Sequence, residues 1–323
     1  MNAKITAMGA YAPEKVVTND DMVKLVDTSD EWITKRTGIK ERRYVGEDET
    51  LCDLCENAVK DMLLQSGQNL EGVDFIMVAT STSEHTIPSV ASQIQHRFNI
   101  ANTGVIDLIA ACSGFIYGIT VAKSLVISET YKKILVIGAD VLTKVTNFED
   151  RTTCILFGDG AGAALIEPSA EPGILKSVTG TEGDGGSALY LTSSLDNING
   201  SPVTVHNKIY QDGRKVFKWA VERISAQFHE LLKINGMSID ELDYFVPHSA
   251  NKRIIEAICE NVGFPYEKTL VSVEKFGNTS AASIPLALWY NRNHGVELHG
   301  KNILMIGFGG GLTYAGTVVR MIP

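Results

Sequence analysis

Two apolar stretches of this chain recur at one fixed distance. VDFIMVA, beginning at Val73, matches LDYFVPH, beginning at Leu242, and KKILVIG matches the run ending ILMIG with Ile134 on Ile303; both pairs lie 169 residues apart. One offset shared by two separate segments marks a tandem duplication, and a duplicated chain must build two similar units around a common junction. Around the matched stretches, β-branched and apolar runs at 73–80, 104–109 and 133–138 alternate with helical patterns from about Ser89 and after Cys112. The order returns at 241–247, 269–273 and 301–307, with helices expected from about Ala250 and after Thr279. Strands alternating with helices predict an α/β layered protein. We divide it into an N-terminal half, 1–170, and a C-terminal half, 171–323.

The duplication also brings distant residues together. The offset carries Cys112, in IAACSGF, onto Ala281, just after Gly277-Asn278-Thr279-Ser280. Equivalent corners of fused halves face one crevice, so Cys112 and Asn278 are expected to meet there. A cysteine at a helix start gains thiolate character from the unpaired backbone N–H groups. Ser113 and Gly114 beside it are small enough to admit a substrate, although a buried structural cysteine is the plainer alternative. His248, at the C-terminal end of an expected strand, is the candidate polar partner, because open α/β sheets place their sites there. The histidines at 85, 96, 206, 229, 294 and 299 read as surface residues. Gly307-Phe308-Gly309-Gly310-Gly311 offers bare amides for an oxyanion, or hairpin turns.

Composition narrows the rest. With 44% hydrophobic residues in 323, the chain can bury a large core. No apolar run reaches the length of a membrane span, and MNAKITAMGAYAP has no secretory pattern, so a cytoplasmic protein is expected. Five cysteines, 52, 55, 112, 154 and 259, are then expected as reduced thiols. A net charge of −9 argues against nucleic acid as partner. Basic clusters nevertheless occur at Lys35, Arg36, Lys40, Arg42 and Arg43, at Arg214, Lys215 and Lys218, and at Lys252 and Arg253. Cys52 and Cys55 fall on a helical apolar stripe with Val59 and Met62 and read as core, with no metal. Gly158-Asp159-Gly160-Ala161-Gly162 lacks the spacing of a nucleotide loop.

With Cys112, His248 and Asn278 in that order, the sequence closely resembles the β-ketoacyl-acyl-carrier-protein synthase III family, along essentially its whole length. The resemblance rests on TSDEWITKRTGI, ACSGF, FGDGAGA, PHSANKRI, GNTSAASIP and GFGGGLTYAG. It implies a thiolase fold, two βαβαβαββ-type halves in five α-β-α-β-α layers, and an acyltransferase that initiates fatty-acid synthesis. Cys112 would be acylated by a primer acyl-CoA, and decarboxylative condensation with malonyl-acyl-carrier protein would follow, aided by His248 and Asn278. The N–H groups of Cys112 and Gly310 would form the oxyanion hole. Coenzyme A, a substrate and not a resident cofactor, would be held by Thr28, Trp32, Arg36 and Arg151. Acyl carrier protein would dock on Lys218, Ser249, Ala250, Asn251, Lys252 and Arg253. The family resemblance further implies a homodimer in which the loop at 85–88 reaches the partner's acyl pocket. There Ile87 replaces a bulkier aromatic residue and would admit branched primers. A non-condensing acyltransferase and a catalytically idle acyl-CoA-binding relative are the alternatives.

Overall fold

The computed structural model describes residues 1–321. Its N-terminal sheet contains β1 (Asn2–Tyr11), β2 (Phe75–Ala79), β3 (Gly104–Leu108), β4 (Ile134–Val141) and β5 (Asp159–Ser169), in spatial order β1-β5-β4-β2-β3. The C-terminal sheet contains β6 (Ile174–Thr181), β7 (Tyr244–Pro247), β8 (Asn302–Gly309) and β9 (Thr313–Arg320), in order β7-β8-β9-β6. In the first, β2 runs parallel to β3 and β4, while β5 is antiparallel to β4 and β1. In the second, β7 is parallel to β8, and β9 is antiparallel to β8 and β6.

The repeat is present at the level of register. Phe75 faces Ile134 across β2 and β4, and Tyr244 faces Ile303 across β7 and β8, the same pairing displaced by the sequence offset. The two halves turn through matching corners. A single 3-10 turn at Ala111–Ser113 leads into helix α4 (Gly114–Ile127), and one at Ser280–Ala282 leads into α7 (Ser283–Asn293). Ala111 and Ser280, equivalent under the offset, both hold positive φ, 45° and 50°. Such a conformation costs an L-residue roughly 1–2 kcal/mol, so its retention in both halves marks a corner that the packing dictates.

The two helices that follow these corners lie between the sheets. Phe115, Ile116 and Ile119 of α4 and Ile284 and Leu288 of α7 share one core with Met77, Val136, Val246, Ile303 and Met305. On the outer face of the first sheet, α2 (Leu51–Ser66) and α3 (Val90–Arg97) bury Leu54, Ala58, Met62 and Ile94 against Ile76, Leu135 and Ile137. On the outer face of the second, α5 (Gly213–Asn235) and α6 (Lys252–Val262) bury Ile224, Phe228, Ile255 and Ile258 against Phe245, Leu304 and Ile306. The layers run α-β-α-β-α, as expected. Cys52 and Cys55 sit in the outer core, fully or nearly buried, and among the described residues no cluster of metal-ligating side chains occurs.

Two expectations need correction. Residues 269–273 form no strand: Leu270 N–H donates to Phe245 O at 2.8 Å, and then the chain peels away because Ser272 N–H is captured by Ser249 Oγ at 3.0 Å. Arg42 belongs to no surface patch. It is fully buried, its guanidinium donating to Asn19 Oδ1 at 2.8 Å and Ile155 O at 2.7 Å, which offsets part of the cost of burying its charge.

Candidate active site

Cys112 occupies the first of the two corners, half-buried, directly beneath the glycines that end β8. A Cβ on Gly309 would lie 3.0 Å from Cys112 Sγ and 3.1 Å from its backbone nitrogen. Only glycine lets this backbone approach the thiol, and Gly310 follows with its amide at the same corner. Ser113 and Gly114 are not the open shelf the sequence suggested. Both are buried: Ser113 Oγ donates to Ala110 O at 2.7 Å, and a Cβ on Gly114 would lie 2.9 Å from that of Ala79. Their smallness serves the crossing of α4 over the sheet.

Opposing influences meet at the thiol. Burial pushes Cys112 up to about 12, and the carboxylate of Asp140 adds to the rise, while Ser280 acts in the opposite direction. The helix start also favours the thiolate.

His248 closes β7, where its backbone N–H donates to Ile306 O at 2.8 Å, and is 1% exposed. Its Nδ1 lies 2.6 Å from Ser283 Oγ, the first residue of α7, and its ring stands edge-on to Phe308. Ser249 N–H donates to that same Oγ at 3.4 Å. With one lone pair thus engaged, the Ser283 hydroxyl is free to donate to Nδ1, which leaves Nε2 carrying the proton. Burial holds the imidazole down to about 3, so it is neutral. His248 therefore presents a hydrogen-bond donor, not a cation.

Asn278 is 6% exposed and is fixed at three points. Its N–H donates to Leu156 O at 2.8 Å, its carbonyl accepts from Gly158 N–H at 3.0 Å, and its Oδ1 accepts from Ser280 N–H at 2.9 Å. The last bond settles the carboxamide orientation, since an N–H must meet oxygen; the NH2 group is the end left to donate elsewhere. The glycine run at 158–162 thereby acquires a purpose: a Cβ on Gly158 would lie 2.2 Å from Phe276 O, so glycine is needed where this strand braces the Asn278 loop.

Sequence reasoning missed three residues here: Ser283, Ser280 and Asp140. Asp140 is fully buried at the end of β4; its Oδ1 accepts from Ser81 N–H at 2.8 Å and from the hydroxyls of Thr82 at 3.0 Å and Thr80 at 3.2 Å, and its Oδ2 from Ala281 N–H at 3.4 Å. The repeat offset contained the signal, because it carries Asp140 onto Gly309 and Ala281 onto Cys112. In one half the corner amide is occupied by a carboxylate of the protein itself. In the other, glycine leaves the Cys112 amide without such a side chain.

Near the surface, Trp32, on helix α1 (Asp30–Thr37), lies between two guanidinium groups, those of Arg36 and Arg151, each 5.1 Å from the ring centroid. Thr28 Oγ1 close to α1 is buried without a hydrogen-bond partner among the described residues. Asn251 Nδ2 donates to Arg36 O at 3.2 Å, joining this cluster to the start of α6. There Arg253 and, on α5, Lys218 are exposed, whereas Lys252 is engaged by Glu274 at 2.8 Å and the Tyr266 ring. Ser249 is removed from the expected docking surface: it has no exposed area and its hydroxyl holds Ser272. Ile87 projects from its loop, 87% exposed, and the six other histidines are exposed.

Comparison with known proteins decides the family. The model of 3-Oxoacyl-[acyl-carrier-protein (ACP)] synthase III matches residues 106–183, and that of its C-terminal part matches 232–321. The chain is 49% identical over 319 residues to β-ketoacyl-[acyl-carrier-protein] synthase III 2 of Bacillus subtilis, covering 98% of each protein. The chain belongs to the β-ketoacyl-acyl-carrier-protein synthase III family. The Halalkalibacterium halodurans synthase III 2 is similar at 48%, with 98% of this chain and 96% of that protein covered. The crystal structure of the Thermus thermophilus synthase III superimposes with a TM-score of 0.95 at 41% identity, 98% of each chain covered. As a synthase III the protein is a transferase, an initiating condensing enzyme of fatty-acid synthesis, on the thiolase fold.

Proposed function

We propose that Cys112 accepts the acyl group of a primer acyl-CoA as a thioester, and that the enzyme then condenses it with malonyl-acyl-carrier protein. The observation that carries this reading is the shared corner: Asn278 is bonded to Ser280, the turn holding Ser280 packs on the turn holding Cys112, and His248 is bonded to the helix that the Ser280 turn begins. Acyl transfer builds an oxyanion, for which the N–H groups of Cys112 and Gly310 are the donors. Loss of CO2 from the malonyl group leaves an enolate, and neutral His248 with the Asn278 carboxamide supplies donors to its oxygen without protonating the carbanion. The carbanion attacks the Cys112 thioester, giving β-ketoacyl-acyl-carrier protein and a free thiol.

Trp32, Arg36, Arg151 and Thr28 are the coenzyme A contacts of this reading, since an adenine stacks on an indole and guanidinium groups pair phosphates. Acidic carrier protein docks on Lys218, Arg253 and the α6 start with Ala250, Asn251 and Lys252. The halves 1–170 and 171–323 contribute the nucleophile and the two donors respectively. The working form is a cytoplasmic homodimer: β3 is an unpaired sheet edge carrying Ile106, with Ile109 just beyond it, 46% and 83% exposed, and a second copy would cover them together with Ile87. Ile87 would then line the partner's acyl pocket and leave room for branched primers such as isobutyryl- or isovaleryl-CoA.

The test is a panel of acyl-CoA primers with malonyl-acyl-carrier protein, read by product mass and CO2 release. A 3-ketoacyl product two carbons longer than the primer is expected, with branched primers used at least as fast as acetyl-CoA. Transfer of the primer without CO2 release would make the protein a non-condensing acyltransferase, and no acyl mass on Cys112 would make it an idle binder.

A further inference from the structure

The segment between β2 and α3 runs from Thr80 to Ser89 and carries Ile87 near its middle, 87% exposed. Carboxylates fix both of its ends. At the first, Asp140 Oδ1 accepts from Ser81 N–H at 2.8 Å and from the Thr82 hydroxyl at 3.0 Å. At the second, Asp107 on β3 accepts from the N–H groups of Val90 at 2.7 Å and Ala91 at 2.9 Å. Residues 83–88 between these anchors are all exposed, and the Ser83 hydroxyl reaches no further than His85 O in the same loop. Among the described residues, one side chain ties this stretch to another element. Glu84 Oε1 accepts from Leu51 N–H, at the start of α2, at 2.9 Å and from Lys144 Nζ at 2.8 Å. The helix it grips is rigidly packed, since Leu51, Leu54 and Ala58 have no exposed area. The Lys144 side chain is 41% exposed, so that ion pair alone contributes little. A carboxylate on an otherwise unpaired helix N–H is the stronger contact.

We infer that Glu84 is a positioning residue for primer choice: by tying the loop to α2 it sets how deep Ile87 stands in the partner's acyl pocket. This rests on the reading that Ile87 lines that pocket. Ile87 follows the tie by three residues, so the arm that carries it reaches at most about 10 Å. Without the tie the arm starts at Thr82, and its five residues reach about 17 Å. The far end stays held on Asp107, so the loop swings without unfolding, and Ile87 occupies several depths in place of one. A branched primer fills the pocket out to its wall and loses contact when the wall shifts, at a cost of about 10-fold or more for each group left unpacked. Acetyl, two methyl groups smaller than isobutyryl, stops short of that wall. Glu84 therefore governs the fit of the primer and leaves the chemistry alone, and its carboxylate bonds to none of Cys112, His248 and Asn278.

The experiment measures kcat and KM for isobutyryl-CoA and acetyl-CoA, with malonyl-acyl-carrier protein, in wild type, Glu84→Ala, Glu84→Gln, Ile87→Gly and the double variant Glu84→Ala/Ile87→Gly. Glu84→Ala should raise KM for isobutyryl-CoA about tenfold, while KM for acetyl-CoA and kcat for both primers stay within about twofold of wild type. Glu84→Gln keeps an oxygen for the Leu51 N–H and should restore most of the wild-type KM. With Ile87→Gly already present, Glu84→Ala should change KM for isobutyryl-CoA by less than about twofold, because the side chain it positions is gone. A merely structural role would instead lower kcat for both primers in proportion. Folded Glu84→Ala with wild-type KM for isobutyryl-CoA, or with an undiminished effect on top of Ile87→Gly, overturns the proposal. Where Glu84→Ala does not fold, Lys144→Glu, which repels the carboxylate from its place, decides it by the same KM. Ile87→Gly that alters neither KM overturns the underlying reading of the pocket instead, and the positioning role with it.

Discussion

Ser283 decides which nitrogen of His248 faces the pocket. The hydroxyl sits 2.6 Å from Nδ1, and removing it frees the imidazole to exchange tautomers and lose its donor half of the time or more. Ser283→Ala should slow CO2 release from malonyl-acyl-carrier protein about tenfold, the worth of one buried hydrogen bond, while acyl mass on Cys112 accumulates at the wild-type rate. His248→Ala and Asn278→Ala should each cut condensation by about 100-fold or more and still load acyl groups, whereas Cys112→Ser should load none. The same burial makes His248 a source of acid sensitivity. Held down to about 3 in the fold, against about 6.5 in an unfolded chain, it stabilises the protein fully above pH 6.5 and progressively less as pH falls towards 3. Lowering the pH from 6.5 to 4.5 should cost wild type about 2 kcal/mol more than His248→Gln, measured by denaturant titration. Asp159, raised to about 6, acts in the opposite sense, its contribution being lost as pH rises through 6; it is common to both proteins and cancels.

At the scale of the elements, the 169-residue offset made the order of strands and helices legible, because inner strands buried on both faces read as continuous apolar runs. What stayed hidden involved contacts between halves. Nothing local in FGDGAGA says that it braces Asn278, and nothing local says that Arg42 is interior; both follow from chain segments that meet only on folding. The surroundings of Cys112 stayed hidden for a related reason: the helix start is visible in sequence, and the burial that opposes it is not. The bracing role has a direct check. Gly158→Ala forces a methyl group against Phe276 O, 2.2 Å from an ideal Cβ, so the Asn278 loop must move. Condensation should fall about 100-fold, and acyl loading, which does not use Asn278, by less than tenfold.

For the whole molecule, the unpaired edge of β3 is where the proposed dimer would form. An exposed edge strand with Ile106 and Ile109 invites pairing with another chain. Sedimentation should find a dimer in wild type and a monomer, or one dissociating at least about 100-fold more readily, in Ile109→Asp. Ile87→Phe should keep the dimer and move the primer panel from branched towards acetyl. A larger asymmetry lies inside each chain. A duplicated gene could have yielded two reaction chambers per polypeptide, one at each corner. The Asp140 side chain fills the second, accepting from the Ala281 N–H there, while Gly309 clears the first, so the ancestral symmetry survives as architecture and the two corners are left unequal.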